Sequence, residues 1–385
     1  MPNFGLLASL RRIKPMVTKE FRQVRRDKVS LAILLLIPAF LMFMIGYALN
    51  FDVKHIKLAF YDLDKTSLSR DFQRGFFQSN YFDQAGELGA YRQADDVLNS
   101  GVATAVIVIP RDFSKDLLAD KNVQVQVLVN GADSNTGTIS LGYMGGIIQA
   151  WSGKILASFM ERKGIDRYDP IDLRPKIWYN PELASPKFLV PGFIGFILML
   201  SAVVSTALSV VREKEQGTIE QLTVSPLNTV EIIIGKTLPH LLNALISSVF
   251  VLCMAYFLFH VPIRGEILWL YAGILLFLLA ALGQGMLISV FADTQQVAFM
   301  MSVLSSILPT FLLSGLVFPI KSMPVFLQIL SNVTPSKFFI IILRDVMLKG
   351  LGPSVYWPEM SYLFIFATVT LGFSAYKMEQ QRKAA

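Results

Sequence analysis

Long uncharged runs alternate along this chain with one large mixed segment and one short charged island. Residues 31–49 carry no charged side chain over 19 positions, close to the 20 or so that cross a bilayer as a helix. Further apolar runs at 188–211, 228–259, 267–291, 297–320 and 360–376 predict five more spans, six in all. Ahead of the first span, Leu6, Leu7, Leu10, Ile13, Val17, Phe21 and Val24 recur every three to four residues with Arg and Lys between them. That spacing predicts a basic amphipathic helix lying on the membrane surface over residues 1–28.

Residues 51–186 change character, with frequent charges and no spanning run. Strand-like runs at 55–61, 104–109, 123–129 and 174–178 alternate with helical patterns at 69–78, 93–99, 112–119 and 140–162. The expectation is a small α/β domain with a mixed sheet, inserted between the first and second spans. The turn-rich stretch 130–137, NGADSNTG, reads as a loop.

Composition agrees with a membrane protein: 53% of the 385 residues are hydrophobic and only 16% charged. The formal charge of +7 is concentrated at the amino end, where Arg11, Arg12, Lys14, Lys19, Arg22, Arg25, Arg26 and Lys28 face only Glu20 and Asp27. This is the signature of a cytoplasmic flank beside anionic lipid, not of nucleic-acid binding. Basic Lys377, Arg382 and Lys383 put the carboxyl end, a short tail at 378–385, on the same side. The α/β domain would then be extracytoplasmic. The segment 321–359 breaks the charge rule with Lys321, Lys337, Arg344 and Lys349, and its apolar piece 338–343 is too short to span. An interfacial or re-entrant helix is expected there, with a seventh span as the alternative. Cys253 is the sole cysteine, so no intramolecular disulfide holds the domain together.

Catalytic motifs fail on spacing. Gly235-Lys236-Thr237 resembles the end of a phosphate-binding loop, but the glycine required five positions earlier is Val230. Gly283-Gln284-Gly285 lacks the third glycine of a dinucleotide fingerprint, where Ile288 stands, and suits helix packing. His55, His240 and His260 are scattered, with no metal-ligand spacing. The central parts of the six runs hold no Asp, Glu, Lys or Arg, which disfavours proton- or sodium-coupled transport. Asn243 and Gln284 are candidates to line a path, against the commoner role of interhelical hydrogen bonding.

The island at 211–236 is coherent. Gly217 breaks the helix that continues from the second span, Thr218 with Gln221 forms a capping-box pattern, and Ser225-Pro226 stops the short helix that follows. Asn228 with Glu231 repeats the pattern at the next span. Two capped starts describe a docking helix better than a plain connector.

Arg212-Glu213-Lys214-Glu215-Gln216-Gly217-Thr218-Ile219-Glu220-Gln221-Leu222, then Ser225-Pro226-Leu227 and residues 231–236, resembles the signature region of ABC-2 type permeases, the membrane subunits of ATP-binding-cassette exporters. Leu313-Ser314-Gly315, Phe318-Pro319, Ser322-Met323-Pro324, Pro335 and Arg344 are similar to a second segment of that family. Lys19-Glu20-Phe21, Arg25, Asp27 and Asn180-Pro181 resemble the YbhS/YbhR/YhhJ-like multidrug group of bacterial inner membranes.

The resemblance implies a dimer, homomeric or with a similar permease, each chain joined to a cytoplasmic ATPase subunit that binds ATP and Mg. The chain itself would hold no cofactor and catalyse nothing. Residues 212–228 would form the coupling helix, with Glu213, Glu215, Gly217, Thr218, Ile219, Glu220 and Leu222 as its contacts or shaping residues. Amphiphilic or drug-like cargo is implied, as is docking of a periplasmic adaptor and an outer-membrane channel on the external domain. Lipid, polysaccharide and peptide cargo remain open within the wider family. Outside it, the rival readings are a membrane-anchored ligand sensor and an ion-driven carrier.

Overall fold

The computed structural model describes residues 6–26, 28–48, 55–79, 81–119, 121–162, 178–180, 185–218 and 227–384. The chain divides into two compact units, Met1–Asn50 with Ile177–Ala385, and Phe51–Lys176. In the first, α1 (Leu6–Arg26) and α2 (Lys28–Ala48) precede the inserted unit.

The inserted unit runs β1 (Ile56–Asp62), α3 (Ser67–Phe77), β2 (Phe82–Glu87), α4 (Arg92–Asn99), β3 (Ala105–Ile109), α5 (Phe113–Leu118), β4 (Gln126–Val129) and α6 (Ser134–Arg162). Its sheet order is β2-β1-β3-β4, with β1 parallel to both neighbours and β3 antiparallel to β4. All five β3 residues are buried because both faces are covered, so the strand reads as a continuous apolar run. Ile56, Leu58 and Phe60 meet Phe72, Phe76, Phe113 and Met144 on one face, and Ala59, Val106 and Val108 meet Ala94 on the other.

Two differences from the sequence pattern have local causes. Strand β2 went unread because an edge strand with most of its side chains open to solvent, FDQAGE, carries little apolar alternation. Helix α6 starts at Ser134, inside the expected loop, where Asp133 accepts hydrogen bonds from the Thr136 amide (3.3 Å) and hydroxyl (2.5 Å). Of the expected strand 174–178, residues 174–177 lie outside the described residues and Trp178 is not in a strand.

The first unit continues with α7 (Ser185–Glu215), α8 (Thr229–Phe257), α9 (Ile267–Phe291), α10 (Gln295–Leu313), α11 (Val325–Leu330), α12 (Pro335–Leu343) and α13 (Pro353–Ala384). Among the described residues four helices, α7 to α10, are long and apolar enough to cross a membrane, or five if the bent pair 325–333 and 335–349 counts as one span. Helix α2 contains a shorter apolar stretch, Leu35–Tyr47, and α13 is not among the four. Helix α10 stops at Leu313 rather than 320, because Gly315 takes a left-handed φ of +78° that ends the helical path.

The pair bends by 86°. Its near end lies by the close of α10 and its far end by the start of α9, where Arg264 and Gly265 amides donate to Met347 and Val346 carbonyls at 3.1 and 2.9 Å. Arg344 fixes the bend by donating to the Gly315 carbonyl at 3.1 Å and the Phe188 carbonyl at 3.3 Å. The segment therefore begins and ends at one end of the bundle.

Helix α7 is the central element, packing against α2, α8, α9, α10 and α12. Small residues admit this crowding. A side chain added at Gly285 would sit 2.6 Å from the Val203 carbonyl oxygen on α7, whereas Gly283, on another face of α9, meets Thr370 and Leu371 of α13. Gly285→Ala is expected to destabilise the protein by about 1–3 kcal/mol through overpacking. Gly372→Ala, with nothing within 4 Å of the added carbon, is expected to be neutral or stabilising; thermal unfolding of the two variants in detergent compares them.

Candidate functional site

At one end of the bundle the α7 carboxyl terminus, the α8 amino terminus, the turn joining α9 to α10, the end of α13 and the middle of α1 converge. The Lys236 ammonium on α8 is 2.5 Å from Glu213 on α7 and 3.8 Å from Glu20 on α1. Lys19 adds contacts of 3.2 Å to Glu213 and 3.5 Å to Glu20. Lys236, Glu20 and Glu213 are buried, while Lys19 is about half exposed. Two cations therefore balance two carboxylates in a low-dielectric setting, where a lone charge would cost several kcal/mol.

This cluster decides which face of α1 packs. The apolar spacing points to a stripe including Phe21, which is 38% exposed; among the α1 side chains the structure describes, Met16 and Glu20, one turn apart, are buried and Ile13 and Val17 of the stripe are partly buried. Gly235 lets α1 approach, since a carbon added there would lie 2.8 Å from the Met16 sulfur. The Gly-Lys-Thr triplet that imitates a phosphate loop is thus a contact glycine followed by an ion-pair lysine. Lys236 and Glu20 are the residues the sequence reading missed as partners. A lysine eight positions into a long helix whose only other charged residue is Glu231 in its first turn was the available signal.

The described expected site residues surround the same region. Lys214 donates to Asp293 at 2.5 Å and to the Ala292 carbonyl at 3.1 Å. The Lys214 ammonium, by hydrogen bond and charge, holds the Asp293 carboxyl below the usual carboxylate range. Glu215 accepts from the Gln295 amide at 2.7 Å and from its side chain. Gly217 has a φ of +68° and Thr218 turns its hydroxyl back to the Glu213 carbonyl at 3.1 Å. On the far side of the island, Glu231 accepts from the Asn228 amide at 3.0 Å, Thr229 bonds Glu379, and Arg382 donates to the Leu227 carbonyl at 2.7 Å. Ile219, Glu220 and Leu222, with Gln221 and Ser225-Pro226, lie outside the described residues.

Away from this end, the Gln284 amide donates to the Ser305 hydroxyl at 3.1 Å and carbonyl at 3.3 Å, tying α9 to α10. Asn243 lies on α8 beside a cleft, apart from Gln284 in its contacts.

Removing one member of the ion cluster leaves a buried charge unmatched. Lys236→Met is expected to destabilise by about 3–5 kcal/mol, and the double variant Glu213→Gln/Lys236→Met to recover part of that loss, as read by unfolding in detergent. Burial alone would lower the Lys19 pKa, but the charges of Glu213 and Glu20 and the hydrogen bonds to them raise it above the ordinary lysine value. Its contribution is therefore complete at neutral pH and lost only as pH climbs through that raised value.

The profile of the ABC-2 family transporter protein matches residues 28–376. The chain is 30% identical to the "Probable multidrug ABC transporter permease YbhR" of Escherichia coli K12 over 96% of its own length and 99% of that protein. It is 30% identical to "Probable multidrug ABC transporter permease YbhS" of the same strain, over 97% and 98%. It is 26% identical to that strain's "Inner membrane transport permease YhhJ", over 91% and 92%. With a family match over most of its length and relatives aligned nearly end to end, the chain belongs to the ABC-2 transporter family.

Proposed function

We propose that the chain is the membrane-spanning, non-catalytic permease of an ATP-driven exporter, moving amphiphilic or drug-like molecules out of the cytoplasm or inner membrane. The observation that carries this reading is the anchoring on both flanks of residues 219–226. Upstream, Glu213, Lys214 and Glu215 tie the end of α7 to α1, α8 and the α9–α10 turn; downstream, Leu227 and Thr229 are tied to α13. A push delivered between those flanks reaches five helices at once. That is what a subunit needs if a separate ATPase, holding ATP and Mg, supplies the work.

In this reading the island 212–228 is the coupling helix and this end of the bundle is cytoplasmic, with both chain termini. Six spans result when α2 and α13 cross along with α7 to α10. The segment 321–359 is then re-entrant on the outer side, since it begins and ends at one end of the bundle, and the α/β unit is extracytoplasmic. The named relatives YbhR and YbhS are multidrug permeases by description, which favours drug-like cargo. The permease works as a dimer, and the outer α/β unit is the surface available to an adaptor and an outer-membrane channel.

Gly217 offers the sharpest test, because a branched residue at its left-handed φ costs about 1–2 kcal/mol without touching a neighbour. In proteoliposomes holding the chain and its ATPase, Gly217→Val and Glu220→Ala are expected to cut export at least tenfold while ATP hydrolysis persists. Unchanged export in both variants, or a chain that never associates with the ATPase, overturns the reading.

A further inference from the structure

Midway along α7 and α8, a cleft opens between the two helices. Its polar lining is Ser201 and Ser205 from α7 and His240, Asn243 and Ser247 from α8, set among Leu198 and two alanines. The space inside it is about 10 Å³, room for a single water-sized group such as one hydroxyl and not for a whole drug. His240 is 7% exposed and Ser247 3% exposed. The His240 Nδ1, the Asn243 Nδ2 and the Ser247 Oγ have no hydrogen-bond partner among the described residues. Three convergent orphaned polar atoms in an apolar bundle cost more than packing alone repays.

The serines of α7 complete the pattern. Ser201 donates to the Ile197 carbonyl and Ser205 to the Ala202 carbonyl at 3.1 Å, so both oxygens keep lone pairs for an incoming donor. The cleft thus offers donors from Asn243 and Ser247 and acceptors from the serines, with His240 taking either role according to its tautomer. No carboxylate, ammonium or guanidinium lines it. The nearest cation on α8, Lys236, is already matched by Glu213 and Glu20. A charged head group would enter without a counter-ion, whereas an uncharged one with both hydrogen-bonding senses would satisfy every orphan.

We propose that this cleft is a subsite for one hydroxyl of the uncharged head group of an amphiphile whose apolar tail stays in the membrane. The proposal rests on the export reading above for the origin of that amphiphile, but its test needs no ATP. The full chain in nanodiscs, without nucleotide, is exposed to a monoacylglycerol carrying a diazirine next to its diol head, and to a matched probe with a trimethylammonium head. The diol probe is expected to label peptides spanning 198–205 and 240–247, well above the cationic probe. Asn243→Leu should lower that labelling by roughly fivefold, the scale of one lost hydrogen bond. Ser205→Leu, at the half-exposed mouth, should do the same by filling it and serves if the first variant does not fold. Ser302→Ala, which removes a buried unpartnered hydroxyl outside the cleft, should change nothing.

Equal labelling by both heads, label spread over the lipid face and unmoved by both leucine variants, or no label in the cleft because water alone fills it, each overturns the proposal. So does an unlabelled cleft in a Ser205→Cys variant whose copies cross-link through that position, which would mean that a second copy closes it. Mapped labelling in a chain that binds no ATPase would sink the export reading and leave the subsite standing. Normal export with an unlabelled cleft would do the reverse.

Discussion

The pairing of Lys236 with Glu213 inside the bundle, braced by Glu20 and Lys19, is the constraint to which the rest of this end answers. A lysine buried inside the bundle must find a carboxylate, and the carboxylates buried with it must not exceed the cations available. Satisfying both conditions draws together residues from the amino-terminal helix, the end of α7 and the start of α8. Apolar side chains of similar volume would pack there and would tolerate sliding; the ionic set permits one register of α1 only. Beside it, Val210, Ile233 and Met286 with Leu371 and Met378 supply the apolar packing that excludes water.

The polar groups of the bundle are sorted by position. At the end near residues 213–236, charges are matched and backbone termini are tied: the α8 amino terminus by Glu231, and the α7 carboxyl terminus by Thr218 and by the dipole-favoured Arg212 and Lys214. In the middle of α7 and α8, uncharged polar groups stand without partners. A charge-matched end resists deformation, and an unpaired neutral middle has unsatisfied hydrogen bonds to offer. Gln284 belongs to neither class, because its amide is spent on Ser305.

What could be read in the sequence depended on whether one segment sufficed to decide it. Apolar runs and a β3 of AVIVI declare themselves because every position along them points the same way. Strand β2 does not, since its place is set by pairing with β1 at an edge and Phe82 is its one buried side chain. The burial of Glu20 is not legible either, because it looks like a solvent residue until Lys236 is beside it. The Gly235-Lys236 pair imitates a phosphate loop in sequence because its true partners are remote, Glu213 lying 23 residues back and Glu20 near the amino terminus. Ser201 and Ser205 at i and i+4, and His240, Asn243 and Ser247 at i, i+3 and i+7, are each a visible stripe. Only the pairing of α7 with α8 turns two stripes into one cleft.

That pairing also links the two regions mechanically. Ser205 lies eight residues from Glu213 along α7, about 12 Å of helix, and His240 lies four from Lys236 along α8, about 6 Å. The ion cluster therefore pins the same two helices that form the cleft, close to one end of it. If α7 and α8 scissor by about 10° around that pin, the cleft walls at Ser205 separate or close by about 2 Å, enough to make or break a hydrogen bond. With no charge in the middle of these helices to respond to an ion gradient, motion has to enter from the ends. The anchored flanks of residues 219–226 are where the pin and the chain's one long charged island coincide.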